Sequence, residues 1–369
     1  MRSAILIICL GILSVSCKKQ PVITGMGIPS PKLPAVPFSY DDFVPPSYMQ
    51  GGVYNFFNST PANNPVTKEG ATLGRVLFYD KQLSKNNTIS CASCHHQNRA
   101  FTDGLVGSVG LYGEVTTRNS MPIVNAFMGF RFFWDQRADG LEELALLPIQ
   151  HPVEMDMTLE ALEIKLQKIP YYTKLFDQAF GDPTVTSDRI ALALSQFMRS
   201  IYSTNSKYDV GVETNFANFS PQELEGKDLF FADARTNCNN CHQTHYFFDP
   251  SPHNNGLESN YADQGVGLIN GNPSSFGKFK TPMLRNIEYT APYMHDGRFA
   301  TLEEVIEFYN SGIQPHINLD DRLTTNGVIG GPPRQMNLTV QERAALVAFL
   351  KTLSDPGLLV NERWSDPFD

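Results

Sequence analysis

Apolar residues recur at helical spacing in two corresponding stretches of the chain. Ile190, Leu194, Phe197 and Ile201 form one stripe, and Leu346, Phe349, Leu350 and Leu353 form another. Each pattern puts its apolar side chains on one face of an α-helix. The second helix opens with a capping box, Thr339 with Glu342, in which each side chain satisfies the other residue's backbone N–H. Two earlier helices are predicted from Gly74-Arg75-Val76-Leu77-Phe78-Tyr79-Asp80 and from Gly226-Lys227-Asp228-Leu229-Phe230-Phe231-Ala232-Asp233. Ser220 as N-cap, Pro221 at the first helical position and Glu223 closing a box mark the start of the latter. A third box, Thr301 with Glu304, precedes Leu302, Val305, Ile306 and Tyr309, so Tyr309 shares the buried face of that helix. The pattern predicts a mainly α fold in two similar halves, 47–210 and 211–369, with the boundary near Ser206 to Phe219.

The stretches outside this pattern have their own signatures. Arg2 followed by the apolar run Ala4 to Leu13 is a signal-peptide core, too short for a mature membrane span. Ser14-Val15-Ser16-Cys17 then resembles a lipoprotein processing site. On that reading 1–17 is a signal peptide ending at a lipidated Cys17, Cys9 is discarded, and the mature protein is a periplasmic lipoprotein held to the membrane by its lipid alone. An ordinary secretory signal is the alternative. Residues 18–46, with Pro21, Pro29, Pro31, Pro34 and Pro37, read as a proline-rich tether. Asn254 to Gly277, dense in Gly, Asn and Ser, reads as a long loop of the kind that often carries function.

Composition adds an exclusion. A net charge of -9 excludes a nucleic-acid partner, which calls for a basic face, and suits docking with a basic redox partner. The choice between a monomer and a homodimer stays open.

Beyond the leader four cysteines remain, in two pairs: Cys91-Ala92-Ser93-Cys94-His95 and Cys238-Asn239-Asn240-Cys241-His242. Each matches the c-type haem attachment pattern. Two thiols on one helical turn can each bond a vinyl-derived carbon, and the adjacent imidazole becomes the proximal ligand of the iron. A Cys/His zinc site is the competing reading. With the helices, the motifs define two cytochrome c-like domains, each with one covalent haem, packed against each other. The sixth ligand then decides the chemistry, because a filled position carries electrons and an open one reacts. In the first half, His96 adjoins His95, and Met121 and Met128 are unfavoured, so the first haem reads as five-coordinate. In the second half Tyr309 is a candidate phenolate ligand, with a packed core tyrosine as the plain alternative.

Taken together, the chain resembles the bacterial di-haem cytochrome c peroxidase family, including its MauG-like branch, from about Gly70 to Leu353. The blocks that carry the resemblance are Arg118-Asn119-Ser120-Met121-Pro122, Phe133-Trp134-Asp135-Gln136-Arg137-Ala138, Pro152-Val153-Glu154-Met155, Leu284-Arg285-Asn286-Ile287 and Thr290-Ala291-Pro292-Tyr293-Met294-His295-Asp296-Gly297. The resemblance implies that His95 is proximal ligand to the peroxidatic haem and His242 to the electron-transfer haem. It implies Trp134 as an electron relay between them and Glu154 as the carboxyl that moves the peroxide proton. Asn119, Thr290 and Pro292 would hold a calcium ion between the domains. Departures from the family pattern are also informative. Tyr309 stands where the peroxidases have a methionine ligand, as in the MauG-like branch, with Met283, Met294 and Met336 as competitors. No distal histidine stands near Leu111, Leu144 replaces a pocket glutamine, and Gln136 replaces a glycine. Thr236 replaces a surface tryptophan of the MauG-like branch.

The leading expectation is an enzyme reducing hydrogen peroxide to water with electrons from a small cytochrome c or cupredoxin. A MauG-like oxidase of a protein or other substrate is the second reading. A non-catalytic di-haem electron carrier is the third, and Glu154 with an open first haem argues against it.

Overall fold

The computed structural model describes residues 27–232 and 234–368. The fold is mainly α, and its only sheet among those residues is a two-stranded antiparallel ribbon of β1 (Pro252–His253) and β2 (Phe279–Lys280). In the first half the helices are α1 (Gly52–Phe57), α2 (Lys68–Tyr79), α3 (Leu141–Gln150), α4 (Leu159–Gln167), α5 (Pro170–Phe180) and α6 (Ser187–Ser200). The rest are α7 (Lys207–Glu213), α8 (Pro221–Ala232), α9 (Val266–Asn270), α10 (Leu302–Glu307) and α11 (Val340–Lys351). All three expected capping boxes form, at Ser220, Thr301 and Thr339. The expected loop after Asn254 is irregular apart from α9 and a short 3-10 turn at Pro273–Ser275.

The repeat seen in the sequence is a repeat of packing. α2 lies on α6, and α8 lies on α11. Each pair crosses at a glycine: a Cβ on Gly74 would sit 2.0 Å from the Ala193 carbonyl oxygen, and one on Gly226 would sit 1.9 Å from that of Ala345. Backbone oxygen cannot rotate away as a side chain can. Alanine at either position therefore forces the helices apart, at a cost of about 1–3 kcal/mol. Denaturant midpoints of Gly74→Ala and Gly226→Ala should both fall, and a midpoint unchanged in either would contradict the crossing.

After each closing helix the same lock recurs. Asn125, with φ of 53°, takes a hydrogen bond from Ser203 N to its Oδ1 at 2.9 Å, and its own N–H donates to Ile201 O. Asn286, with φ of 64°, takes one from Asp355 N at 2.8 Å and donates its N–H to Leu353 O.

The ends of the chain cross over. Leu358 and Trp364 join the core of the first half, and Trp364 Nε1 donates to Ser200 O at 3.0 Å. Met49 and Tyr48, from the first half, pack with Tyr246 and Phe248 of the second. The proline-rich stretch does not stand clear of the fold either: Leu33 and Phe38 pack on the first core, and Tyr40 is only 1% exposed, its hydroxyl donating to Arg363 O. Two half-buried apolar side chains and one buried tyrosine outweigh the extended preference that prolines give a linker. The signal peptide, Cys9, Cys17 and the start of the tether lie outside the described residues. No described helix is long and apolar enough to cross a membrane.

Candidate active site

Each Cys-x-x-Cys-His folds as one tight turn. Cys91–Ser93 and Cys238–Asn240 are 3-10 turns, and the N–H groups of His95 and His242 return to Cys91 O and Cys238 O at 3.1 and 2.9 Å. Both cysteines of a motif therefore face one side, and the four thiols are not paired as disulfides. Burial pushes the Cys91 thiol up to about 12, Cys94 to about 11 and Cys241 to about 12. The imidazoles are held alike. His95 Nδ1 lies 2.8 Å from Phe101 O, and His242 Nδ1 lies 3.2 Å from Phe247 O. A carbonyl only accepts, so Nδ1 carries the hydrogen and Nε2 keeps the lone pair, the tautomer a metal ligand needs. Burial lowers the pKa of both rings, His242 to about 4, which keeps them neutral. Phe101 and Phe247 reach these positions with φ of 62° and 57°, one of several places where strained backbone sits beside a site.

A cavity opens beside each turn. The first is walled by Cys91, Cys94 and His95 together with Leu144, Pro148 and Glu154. Among the described residues, His95 is the one histidine in its wall. Two thioethers that the sequence reading did not weigh, Met155 and Met198, also line it. Met198 on α6 corresponds through the repeat to Leu350 on α11, which lines the second cavity, so it occupies a wall position common to both. The second, larger cavity is walled by Cys238, Cys241 and His242 and by Tyr309, Met283, Met294 and Met336. A buried apolar chamber beside two thiols and a lone-pair imidazole fits a covalent porphyrin. Among the described residues no three His, Cys, Asp or Glu side chains converge to hold a metal, so neither motif forms even a three-ligand zinc site.

The ligand candidates separate on contacts. Met283 Sδ accepts from Asn125 Nδ2 at 3.6 Å and follows Pro282, whose carbonyl neighbours the His242 ring, so it lies on the proximal side. Tyr309 and Met294 lie together elsewhere: Asn255 Nδ2 approaches the Tyr309 hydroxyl at 3.4 Å and Met294 Sδ at 3.7 Å. Tyr309 is not on regular α-helix. α10 ends at Glu307, and a π turn spans Phe308–Gly312, the kind of bulge that often marks functional sites. Burial raises the Tyr309 hydroxyl pKa, so without a cation it stays protonated.

Glu154 lines the first cavity with its side chain 30% exposed. Burial raises its pKa, against the opposing charges of His151 and Arg137. Trp134 lies in the wall of the second cavity although it comes from the first half. Its Nε1 donates to Asn119 O at 2.9 Å, and the next residue, Ser120, donates through Oγ to Cys94 O at 2.8 Å. One short segment thus ties Trp134 to the His95 turn. Gln136 has a left-handed backbone, with φ of 57°, and its Nε2 donates to Pro250 O at 2.7 Å. Asn119, Thr290 and Pro292 line one cavity wall together with Trp134. Asn119 Nδ2 donates to Leu105 O at 2.7 Å, which orients the amide.

Three features gave no signal in the pattern. His253 bridges Asp320 and Asp249 at 2.7 and 3.2 Å beside the second motif, and Arg322 joins them and donates to Asn240 O. Lys280 lines the same cavity, and burial lowers its pKa to about 8. Asn255 joins Tyr309 to Met294. His253 and Lys280 sit on two-residue strands and Asn255 on an irregular segment, all too short for any periodicity to expose them.

A mainly α chain with two buried Cys-x-x-Cys-His turns, each with a neutral imidazole beside its own cavity, has the build of a c-type haem protein. The family described as di-haem cytochrome c peroxidase matches residues 68–215. Methylamine utilization protein MauG of Methylorubrum extorquens is 34% identical over 297 residues, 79% of this chain and 80% of that one. Cytochrome c551 peroxidase of Nitrosomonas europaea is 34% identical over 297 residues, covering 79% and 82%. The crystal structure of a MauG-like protein associated with microbial copper homeostasis superposes with a TM-score of 0.76 at 35% identity, covering 88% of this chain and 98% of that one. The chain belongs to the di-haem cytochrome c peroxidase family and is an oxidoreductase of that type.

Proposed function

We propose that the protein reduces hydrogen peroxide to water at the first site, with electrons from a small cytochrome c or cupredoxin. One observation carries this reading: a cavity with one histidine in its wall among the described residues also holds Glu154, a carboxyl whose neutral form burial favours. A haem held by Cys91, Cys94 and His95 supplies the redox chemistry when bound. Glu154 holds the proton that the departing oxygen needs. Trp134 lies between the two sites as the aromatic relay, with Asn119 and Ser120 fixing its place. His242 and Tyr309 would hold the second haem. Asn119, Thr290 and Pro292 would bind calcium through neutral oxygens, a set within the range calcium accepts. The protein would work in the periplasm on a lipid anchor at Cys17.

Peroxide consumption with a reduced small cytochrome or cupredoxin tests the reading. Turnover is expected, and its absence with either donor class would leave a di-haem electron carrier.

Tyr309 in the second cavity favours a second reading, a MauG-like oxidase of another substrate. Tyr309→Phe should change the optical spectrum of the second haem, leaving the first unmoved. An unchanged spectrum would hand the position to Met294 or Met336.

A further inference from the structure

Reducing one peroxide to two waters consumes two electrons, which the donor protein supplies, and two protons, but a single carboxyl carries only one. Among the described residues, Glu154 is the only carboxyl in the wall of the first cavity, whose other titratable groups are Cys91, Cys94 and His95. Every turnover therefore needs Glu154 to be reloaded. We propose that His151 is the relay that reloads it, taking a proton from solvent and passing it to the Glu154 carboxylate between the two deliveries. The inference rests on the role given to Glu154 above.

The geometry comes from the end of α3. His151 caps that helix, with its N–H on Leu147 O at 3.1 Å, and its carbonyl accepts from both Glu154 N and Asp156 N at 3.0 Å. This turn brings the side chains of residues three apart face to face, with His151 Nδ1 3.6 Å from Glu154 Oε1. That is just beyond a hydrogen bond and within reach of one after a small rotation or through one water. The imidazole is 48% exposed and the carboxyl 30%, so the pair runs from solvent to the cavity wall. The turn is clamped from outside as well. Leu111 N donates to Val153 O at 2.9 Å, and Gly110 lies so close that a Cβ there would be 1.9 Å from the same oxygen.

Other charges around the pair are committed elsewhere. Arg137 acts on Glu154 but bonds Asp135 and covers the Phe133 ring. Asp156 is held by Lys85 and the Tyr112 hydroxyl. Cys91 and Cys94, which feel Glu154, carry thiols raised by burial. Among these groups His151 is the one imidazole, a ring that can accept a proton on one nitrogen and give one from the other. In each reload, solvent protonates Nε2 and Nδ1 gives its proton to the carboxylate; the half-exposed ring then returns to its Nδ1–H form by proton exchange with water before the next reload.

The test compares His151→Gln and Glu154→Gln in the haem-loaded protein. Steady-state peroxide consumption is measured with ascorbate in dilute buffer. His151→Gln should lower kcat roughly 10-fold, less than the ~10²–10⁴-fold of losing the proton donor itself, with KM for peroxide unmoved. Added imidazole should restore the rate of His151→Gln but not that of Glu154→Gln. If Glu154→Gln is slow while His151→Gln matches the parent at every buffer concentration, Glu154 reloads directly from solvent and the relay is wrong. A loss in His151→Gln that imidazole does not restore also overturns it, as a purely structural effect. An unaffected Glu154→Gln removes the role of Glu154 itself, and the relay with it. Infrared spectroscopy reads the pair without turnover. The C=O band of protonated Glu154, identified by its absence in Glu154→Gln, should persist to higher pH in His151→Gln, because a charge that favours ionisation is gone. A band that titrates as in the parent would contradict the coupling.

Discussion

Glu154→Gln is expected to slow peroxide turnover by about 10²–10⁴-fold, the range for removing a positioned proton-transfer group, while fold and haem content survive. Glutamine keeps the size and the hydrogen-bonding atoms of the side chain but has no proton to give to a departing oxygen. Survival of the fold follows from the sign of the pKa shift. Burial raises the Glu154 pKa in the folded protein, so the folded state favours the neutral form, and ionisation costs stability as pH rises past the unfolded value of about 4.3. A neutral glutamine removes that cost and should not destabilise the protein at neutral pH. The rate has a matching profile. Parent turnover should fall as pH rises through the raised Glu154 pKa, and that limb should vanish in Glu154→Gln. Stopped-flow rates across pH, with haem content checked by absorbance, decide the matter. An unchanged rate would reduce Glu154 to a half-exposed surface acid.

What could be read in advance has a physical boundary. Helices announced by a capping box or a clear apolar stripe stood in the sequence: α6, α8, α10 and α11 all start or pack where those residues place them. α3 was not legible, because Gly140 gives it no side-chain cap and Pro148 interrupts it. The helical spacing put Tyr309 on a regular α-helix. The π turn from Phe308 re-aims it, and periodicity cannot foresee an inserted residue. The haem turns were legible because covalent chemistry fixes their spacing. Nothing in the spacing separated Met283 from Met294, since that depends on which sulfur Asn125 or Asn255 engages. Trp134 and Glu154 came from resemblance to a family, and the structure places both in cavity walls. The crossed chain ends were invisible, because nothing in the local pattern around Trp364 or Met49 says which half it will join.

Asp209→Ala is expected to cost about 3–5 kcal/mol, the usual penalty for breaking one partner out of a buried ion pair. Arg285 is 1% exposed and makes two bonds to Asp209, at 2.9 Å each, and one to His245 O at 2.7 Å. Its Nε has no partner, and beyond these bonds the guanidinium has a long contact to Ser203 O at 3.4 Å and the Phe247 ring, so Asp209 carries most of the compensation for its lost water. Asp209 also takes the Tyr48 hydroxyl at 2.6 Å and the Ser206 N–H at 2.8 Å. One carboxylate thereby holds the N-terminal arm, the start of α7 and the segment that backs the His242 turn, and its loss should loosen all three. The pH dependence follows from the direction of the shift. Burial alone would raise the Asp209 pKa, but the charge and hydrogen bonds of Arg285, with Tyr48 and Ser206, bring it below the ordinary value. A depressed carboxylate stabilises fully above its unfolded pKa of about 3.9 and loses that contribution as pH falls through the folded one. The gap between parent and Asp209→Ala, measured as a shift in thermal midpoint, should thus be widest near neutrality and close below about pH 4. Replacing both partners together, Asp209→Leu with Arg285→Met, should cost less than Asp209→Ala alone, because it leaves no stranded charge. A double variant that costs as much as Asp209→Ala alone would show that loss of the pair itself, and not the stranded guanidinium, sets the penalty.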